Sequence, residues 1–312
     1  MNMKISGRTL PPSQAGFSLL ELVIVCAIMT IVMVAVFNGI DLATQRSQAE
    51  QVKVDLTQEG REFVDEFERD LHQAGYPNCR MVATVVAGVS SNCPADYSIN
   101  PNAAKNSLVA AGLVYVSNTQ IVFEGDVDGN GVVDTIRYQL LDSAGNPVPD
   151  TAGTLSTATC PCSIQRSQQV KVNGYLPLAQ PFAWSQELQN VVNSGVPGGT
   201  PPLPYGGGLS IAGNTAWGAT NTSYYAAISS FKDYPVFQAY DQFGGIISMP
   251  QDLSTGSTLL TCTSSSISCV KSIRLTINLL ANGITGVDSK TNVRPVTTLV
   301  GDARLVNNVA TN

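Results

Sequence analysis

The feature that most constrains this chain is a long apolar segment near its N-terminus. Residues 17–40 read FSLLELVIVCAIMTIVMVAVFNGI, and Glu21 is the one charged side chain among them. As an α-helix the segment is about 36 Å long, enough to cross the roughly 30 Å apolar core of a bilayer. The preceding residues 1–16 are polar and include lysine and arginine but no acidic residue. Because positive charge stays on the cytoplasmic side, the sequence predicts a cytoplasmic N-terminus and an exported remainder.

The order of these two parts differs from that of a secretory signal peptide, in which cleavage follows the apolar part. Here the small residue that suits cleavage, Gly16, precedes the apolar part. Cleavage after Gly16 therefore removes a polar leader, residues 1–16, and leaves the helix on the protein. Glu21 is a second anomaly, because a carboxylate inside a membrane helix is costly unless it is paired, and such residues are usually functional.

The residues GFSLLE at 16–21 closely resemble the prepilin processing motif of type IV pilins and type II secretion pseudopilins. The resemblance implies that a prepilin peptidase cuts after Gly16 and that the new terminal residue, Phe17, is methylated. It also implies that Glu21 pairs with the positive N-terminus of a neighbouring subunit. Opposite charges attract strongly in a low dielectric, so such a pair favours one axial stagger between helices. The alternative is a signal anchor with an incidental glutamate.

The helical pattern continues beyond the membrane segment. No proline interrupts residues 17–76, and the following Pro77 ends the pattern. We expect residues 41–76 to form an amphipathic continuation that packs on a globular head, with a two-stranded coiled coil as the alternative. The residues FERDLHQAGY at 67–76 also resemble PilW-type minor pilins. Small or apolar residues recur at helical spacing: Ala49, Val52, Leu56, Gly60, Phe63, Phe67, Leu71 and Ala74.

The remainder, residues 77–312, has β-like patterns and forms the predicted periplasmic or extracellular head. Segments rich in β-branched and aromatic residues predict strands over 113–116, 120–123, 135–140, 272–280 and 295–306. The predicted fold class is therefore α+β: a long N-terminal helix, transmembrane in its first half, packed on an antiparallel β-sheet head in a pilin-like arrangement.

A loop with the pattern D-x-D-G-N-G-x-x-D lies within residues 125–134, between two predicted strands. Alternating oxygen ligands with glycines that permit tight turns suit a hard cation such as Ca²⁺. An EF-hand is excluded because its twelfth position here is Arg137. We expect a structural Ca²⁺ site in a β-hairpin, and the alternative is a metal-free Asn-Gly hairpin. The proposed ligands are the side chains of Asp126, Asp128, Asn130 and Asp134 and the carbonyl of Val132.

The cysteines suggest an oxidising compartment. Cys26 lies in the apolar segment, and the other six form an even set downstream, as expected for disulfides. Proximity suggests three local pairs, although a Cys160–Cys162 ring would be strained, so one of those two is also a candidate for another partner. Reduced buried thiols remain the alternative. The candidates are Cys79, Cys93, Cys160, Cys162, Cys262 and Cys269.

Residues 193–223 are rich in Gly, Pro, Asn, Ser and Thr and predict a surface insertion. Four aromatic residues flank the insertion and either anchor that loop or form a patch for a partner: Trp184, Trp217, Tyr224 and Tyr225.

The composition argues against several functional classes. A net charge of −6 disfavours a general nucleic-acid binder, and one histidine, His72, leaves little for histidine-based catalysis. No nucleophile elbow, phosphate loop, zinc-protease or haem motif occurs, so no enzyme is predicted.

The resemblance implies a minor pilin that helps to initiate or cap a type IV pilus. The alternatives are a J-like type II secretion pseudopilin and an adhesive binding module at a pilus tip. The implied partners are prepilin peptidase, other major and minor pilins or pseudopilins, and an inner-membrane assembly platform. The implied location is the inner membrane before assembly, with the head exported, and then a surface pilus or periplasmic pseudopilus.

Overall fold

A computed structural model of the 312-residue chain divides into two compact units, Met1–Gln48 and Ala49–Asn312. One long helix, α1 (Leu19–His72), precedes nine strands that form an antiparallel, curled sheet. This architecture confirms the predicted α+β, pilin-like fold. The structure describes residues 18–78, 81–82, 105–142, 144–148, 162–193, 235–252, 269–280 and 296–306.

Within the unit Met1–Gln48, the side chains of α1 are exposed, and residues 19–40 are predominantly apolar. Its side chains include Leu19, Ile31 and Phe37, which are all more exposed than buried. The mean hydropathy of its most apolar window is 2.9, and none of that window is buried. By length and composition α1 can therefore cross a membrane, as the sequence predicts.

Within the unit Ala49–Asn312, one face of α1 packs on the sheet. Leu56, Phe63, Phe67 and Leu71 are buried, which confirms the predicted helix face for these positions. Gly60 is also buried on this face, because a Cβ there would overlap Leu299 Cδ1 and lie 3.0 Å from Leu279 Cδ1. The glycine thus allows the helix to approach the sheet closely.

The helix ends earlier than the predicted residue 76. The N–H groups of Gln73 and Ala74 donate to the carbonyls of Asp70 and Leu71, three residues back and 3.1 Å away, which tightens the last turn. Gly75 then adopts φ 81°, a conformation that favours glycine and stops a right-handed helix.

The strands follow the order β6-β8-β5-β4-β3-β2-β1-β7, and β9 pairs with β8. The five predicted strands occur with small differences at their ends, whereas four more were not predicted: β4, β5, β6 and β7. The bounds are β1 Gly112–Val116, β2 Gln120–Gly125, β3 Asp134–Leu141, β4 Cys162–Val170, β5 Ser185–Val191, β6 Phe237–Tyr240, β7 Gln251–Asp252, β8 Ser272–Leu280 and β9 Val296–Arg304.

The main core lies between α1 and one face of the sheet. Tyr138 is fully buried at its centre, and its ring meets Phe63, Phe67 and Phe123 at centroid distances of 5.8, 5.4 and 6.4 Å. Edge-to-face and stacked aromatic contacts of this kind add to the stabilisation from burial alone. The opposite face of the sheet carries a smaller apolar cluster: Val82, Val109, Ala111, Val114 and Val122.

Candidate functional site

The N-terminus of α1 is closed by a reciprocal cap. The Ser18 N–H donates to Glu21 Oε2 at 3.0 Å, and the Leu20 N–H donates to Ser18 Oγ at 3.3 Å. This is a capping box, in which the first helical N–H groups that lack backbone partners are satisfied by side chains. It places the Glu21 carboxylate at the positive end of the helix dipole. The capping role of Ser18 was not predicted, although the Ser-x-x-Glu spacing is typical of this cap.

The predicted processing residues, Gly16 and Phe17, lie outside the described residues. Cleavage after Gly16 and methylation of Phe17 stay predictions.

The predicted cation loop connects β2 to β3. Asp126 Oδ2 accepts from the Gly131 N–H at 3.0 Å, and Asn130 Oδ1 accepts from the Val132 N–H at 2.7 Å. Gly129 and Gly131 have φ of 72° and 82°, as the glycine positions in the motif predict. The loop is thus held in a tight turn by its own side chains.

Two aspartates at the ends of this loop are buried. Asp126 is 6% exposed, and its Oδ1 has no hydrogen-bond donor among the described residues. Asp134 is 2% exposed and accepts from Gln168 Nε2 at 2.7 Å. Burial raises the pKa of Asp134, the Gln168 hydrogen bond lowers it, and the charges of Asp128 and Asp126 raise it again. A buried unpaired carboxylate oxygen beside further acids suits a hard cation.

The remaining predicted ligands lie in the exposed part of the loop. Asn130 Nδ2 donates to Asp128 Oδ2 at 2.7 Å, and Val132 is 40% exposed. In the parts of the chain that are described, no three His, Cys, Asp or Glu side chains converge closely enough to hold a metal ion. Calcium binding at this loop therefore stays a prediction.

Comparison with known proteins adds one match. A family model described as the prokaryotic N-terminal methylation motif matches residues 11–37. The motif indicates a type IV pilin-like precursor. It covers residues 11–16 at the end of the predicted leader, which include Gly16, together with Phe17 and Glu21. It supports processing by a prepilin peptidase, a membrane-anchored state and a structural subunit rather than an enzyme. No curated protein and no solved structure matches the chain.

The head of the pilin-like precursor contains a polar cluster that joins α1 to the sheet. Asp70 Oδ2 accepts from Tyr138 Oη at 2.7 Å and from Arg166 Nη2 and Nε at 2.7 and 2.9 Å. Burial, reinforced by the Asp70 charge, holds the pKa of Tyr138 well above its usual value, so the phenol remains a donor. No role was predicted for Asp70, Tyr138 or Arg166, which are distant from one another in the sequence.

A second polar pair lies inside the sheet of the pilin-like head. Lys171 Nζ donates to Glu124 Oε2 at 2.6 Å and to the Val109 carbonyl at 2.8 Å, and both charged side chains are fully buried. Burial raises the pKa of Glu124 and lowers the pKa of Lys171, while their mutual attraction opposes both changes. The pair therefore links β2, which carries Glu124, to the residue that directly follows β4.

The cysteines of the pilin-like precursor are only partly described. Cys26 is an exposed free thiol in the apolar part of α1. Cys162 is disulfide-bonded, and Cys269 is buried. The other candidates lie outside the described residues, so the pairing stays a prediction: Cys79, Cys93, Cys160 and Cys262. The predicted insertion lies outside them as well, apart from residue 193.

Proposed function

We propose that the chain is a minor pilin of a type IV pilus, most similar to the PilW type, that is cleaved after Gly16 and methylated at Phe17. The observation that carries this proposal is the methylation motif at residues 11–37, directly joined to an exposed apolar helix. The protein starts as a single-pass inner-membrane precursor with its head exported. It then enters a filament in which its helix packs with those of other pilins.

Glu21 is the residue that directs assembly in this proposal. Among the described residues, its carboxylate accepts a hydrogen bond from the Ser18 N–H, which satisfies part of its hydrogen-bonding capacity. The ammonium group of a neighbouring processed subunit offers an opposite charge, and in a low dielectric this is the stronger partner. Glu21 therefore exchanges a local cap for an intersubunit ion pair when the subunit leaves the membrane.

The head favours a minor role over a major one. It contains a sheet of nine strands in the described residues, together with the predicted insertion 193–223. Large heads hinder the dense helical packing of a repeating subunit, whereas a subunit at the end of the filament has free space on one side. Initiating or capping the filament therefore suits this chain.

The mass of the N-terminal peptide tests this function. We expect N-methylated Phe17 as the first residue of the protein recovered from sheared surface filaments. Processed protein that occurs only in the envelope would instead indicate a J-like pseudopilin of a type II secretion system. Recovery of the uncleaved N-terminus in both fractions would contradict the proposal.

Variants of Glu21 test the assembly role separately from processing. We expect Glu21→Ala to be cleaved and methylated but largely absent from sheared filaments, because the intersubunit ion pair is lost. Glu50→Ala is the matched control, since Glu50 is an exposed carboxylate on the same helix. Equal incorporation of both variants would contradict the role of Glu21.

We also propose that Asp126, Asp128, Asn130, Asp134 and the Val132 carbonyl bind a structural Ca²⁺. The support is the buried Asp126 Oδ1 without a donor among the described residues and the proximity of Asp126 and Asp128 to Asp134. The cation supplies the positive charge that these carboxylates share. Its role is to rigidify the β2–β3 hairpin.

Calcium is therefore expected to stabilise the full chain in detergent micelles. At a concentration of a hundred times Kd, ligand binding adds about 2.7 kcal/mol to the free energy of unfolding. Thermal unfolding with Ca²⁺ and with a chelator measures this increment, and Asp126→Asn should abolish most of it.

The matched control is Asp142→Asn. Asp142 is also 6% exposed, and it caps its own turn by accepting from the Ala144 and Asn146 N–H groups at 2.9 and 2.7 Å. This variant should lower stability but keep the calcium increment. An equal increment in Asp126→Asn would contradict the site.

A further inference from the structure

Both ends of the β2–β3 loop are tied to the last turn of α1 and the residues just beyond it. At the first end, the Gly75 N–H donates to the Glu124 carbonyl at 2.8 Å, and the Asp126 N–H donates to the Tyr76 carbonyl at 2.8 Å. These bonds flank an antiparallel bridge between Ala74 and Gly125. The backbone that carries Asp126 is thus paired with the segment that ends the helix.

The second end is tied to α1 through side chains. Gln168 Nε2 donates to Asp134 Oδ2 at 2.7 Å, and Gln168 Oε1 accepts from Arg166 Nη2 at 2.8 Å. The same Nη2 donates to Asp70 Oδ2 at 2.7 Å, and Asp70 lies in the last turn of α1. Gln168 therefore orients both a candidate cation ligand and the arginine that holds the helix.

The loop itself is incomplete in a way that points to a ligand. Asp126 is buried, and its Oδ1 has no donor among the described residues, although Oδ2 is satisfied by Gly131. A buried acceptor without a partner lowers the stability of the folded state. A cation at Oδ1 removes that cost and fixes the side chain whose own N–H is bonded to Tyr76.

We propose that a divalent cation in the β2–β3 loop and the docked last turn of α1 stabilise each other. This inference rests on the calcium proposal made above. The cation holds Asp126 and Asp134, and each of these is connected to α1 by one of the two routes. Coupling between two sites is reciprocal, so a well-docked helix end must also raise the affinity of the loop for the cation.

The functional consequence is a calcium-dependent junction between the helix that assembles and the sheet of the head. With the cation bound, the last turn of α1 stays paired with β2 and with Arg166. Without the cation, Asp126 and Asp134 are no longer fixed by a common ligand, so both of their connections to α1 are weaker. Calcium thus controls how firmly the last turn of α1 is held on the sheet. It does not act on the membrane segment of the helix.

Hydrogen exchange of the full chain in detergent micelles tests the coupling. We expect added Ca²⁺ to slow exchange not only in residues 126–134 but also in a peptide that covers residues 69–76. Mg²⁺ at the same concentration is the comparison, because it prefers a tighter octahedral site. Protection confined to the loop would overturn the coupling while leaving the calcium site intact.

A variant of Gln168 tests the side-chain route by calorimetric titration with CaCl₂. Loss of a group that orients a ligating carboxylate typically lowers metal affinity by about 10-fold or more, so we expect this fall for Gln168→Met. Gln169→Met is the matched control, since Gln169 is the half-buried neighbour on the other face of β4, and its affinity should equal that of the wild type.

The outcomes separate this inference from the proposals on which it rests. If the wild type binds no Ca²⁺, the calcium site and the coupling are both wrong, whereas pilin processing is unaffected. If the wild type binds and both variants bind equally well, the side-chain route is wrong and the calcium site stands. The exchange measurement on the wild type needs no variant, so a poorly folding Gln168→Met does not leave the coupling untested.

Discussion

Replacing Lys171 with methionine is expected to lower the free energy of unfolding of the head by about 3–5 kcal/mol, the range for breaking one side of a buried ion pair. The variant leaves Glu124 fully buried, with the Ala111 N–H at 2.9 Å as its remaining donor in the described contacts. It also removes the donor to the Val109 carbonyl. Guanidinium denaturation of the full chain in micelles, followed by tryptophan fluorescence, measures the change.

A double variant shows that the loss comes from the unpaired charge. Glu124→Gln combined with Lys171→Met removes the buried carboxylate but keeps an acceptor for Ala111, so it should be more stable than Lys171→Met alone. Comparison of the wild type, the two single variants and the double variant gives the coupling energy between Glu124 and Lys171. Lys53→Met, at an exposed site on α1, should change stability little. If Lys171→Met is no worse than Lys53→Met, the pair does not hold the head together.

The second large effect is expected for Gly125→Ala. A Cβ at this position would overlap the carbonyl oxygen of Gln73 and lie 2.9 Å from its carbonyl carbon. Both atoms belong to the backbone, so no side-chain rotation relieves the contact. Overpacking costs about 1–3 kcal/mol, and each bond of the Ala74–Gly125 bridge contributes about 1 kcal/mol. We expect a total loss of about 3 kcal/mol or more in the same denaturation measurement.

Gly39→Ala is the control for that variant. A Cβ at Gly39 has no atom within 4 Å, and alanine favours a helix more than glycine does. The control should therefore fold at least as well as the wild type. A Gly125→Ala protein with unchanged stability would show that β2 and the end of α1 are not in close contact.

The fold could be predicted largely because its strongest elements have regular patterns. The buried positions of α1 follow helical spacing from Leu56 to Leu71, and β8 is apolar enough to be recognised over its whole length, Ser272–Leu280. In contrast, the sequence of β4, CSIQRSQQV, is mostly polar and resembles the sequence of a loop. Its inward positions after Ile164 are Arg166 and Gln168, whose partners are other side chains of the head. A strand whose inner face is polar has no alternating apolar pattern to detect.

The candidate sites were predictable to different degrees. The positions of Glu21 and of the β2–β3 loop follow from short motifs, because local spacing alone determines them. Gln168 and Lys171 carry no such signal, since their partners Asp134 and Glu124 are distant in sequence and meet them only across the sheet. The capping role of Ser18 is an intermediate case, because the Ser-x-x-Glu spacing is a local pattern, yet the cap was not predicted.

The contact of Gly60 with Leu279 and Leu299 has a consequence for the order of folding. The ribosome synthesises α1 first, yet the strands that cover its Gly60 face, β8 and β9, come from the opposite end of the sequence. Until those strands are made, the Gly60 face of α1 lacks its apolar neighbours Leu279 and Leu299. Contacts between such distant segments form slowly and leave apolar surface open to aggregation in the meantime. Burial of the Gly60 face of α1 in the nascent chain therefore depends on prompt completion of β8 and β9.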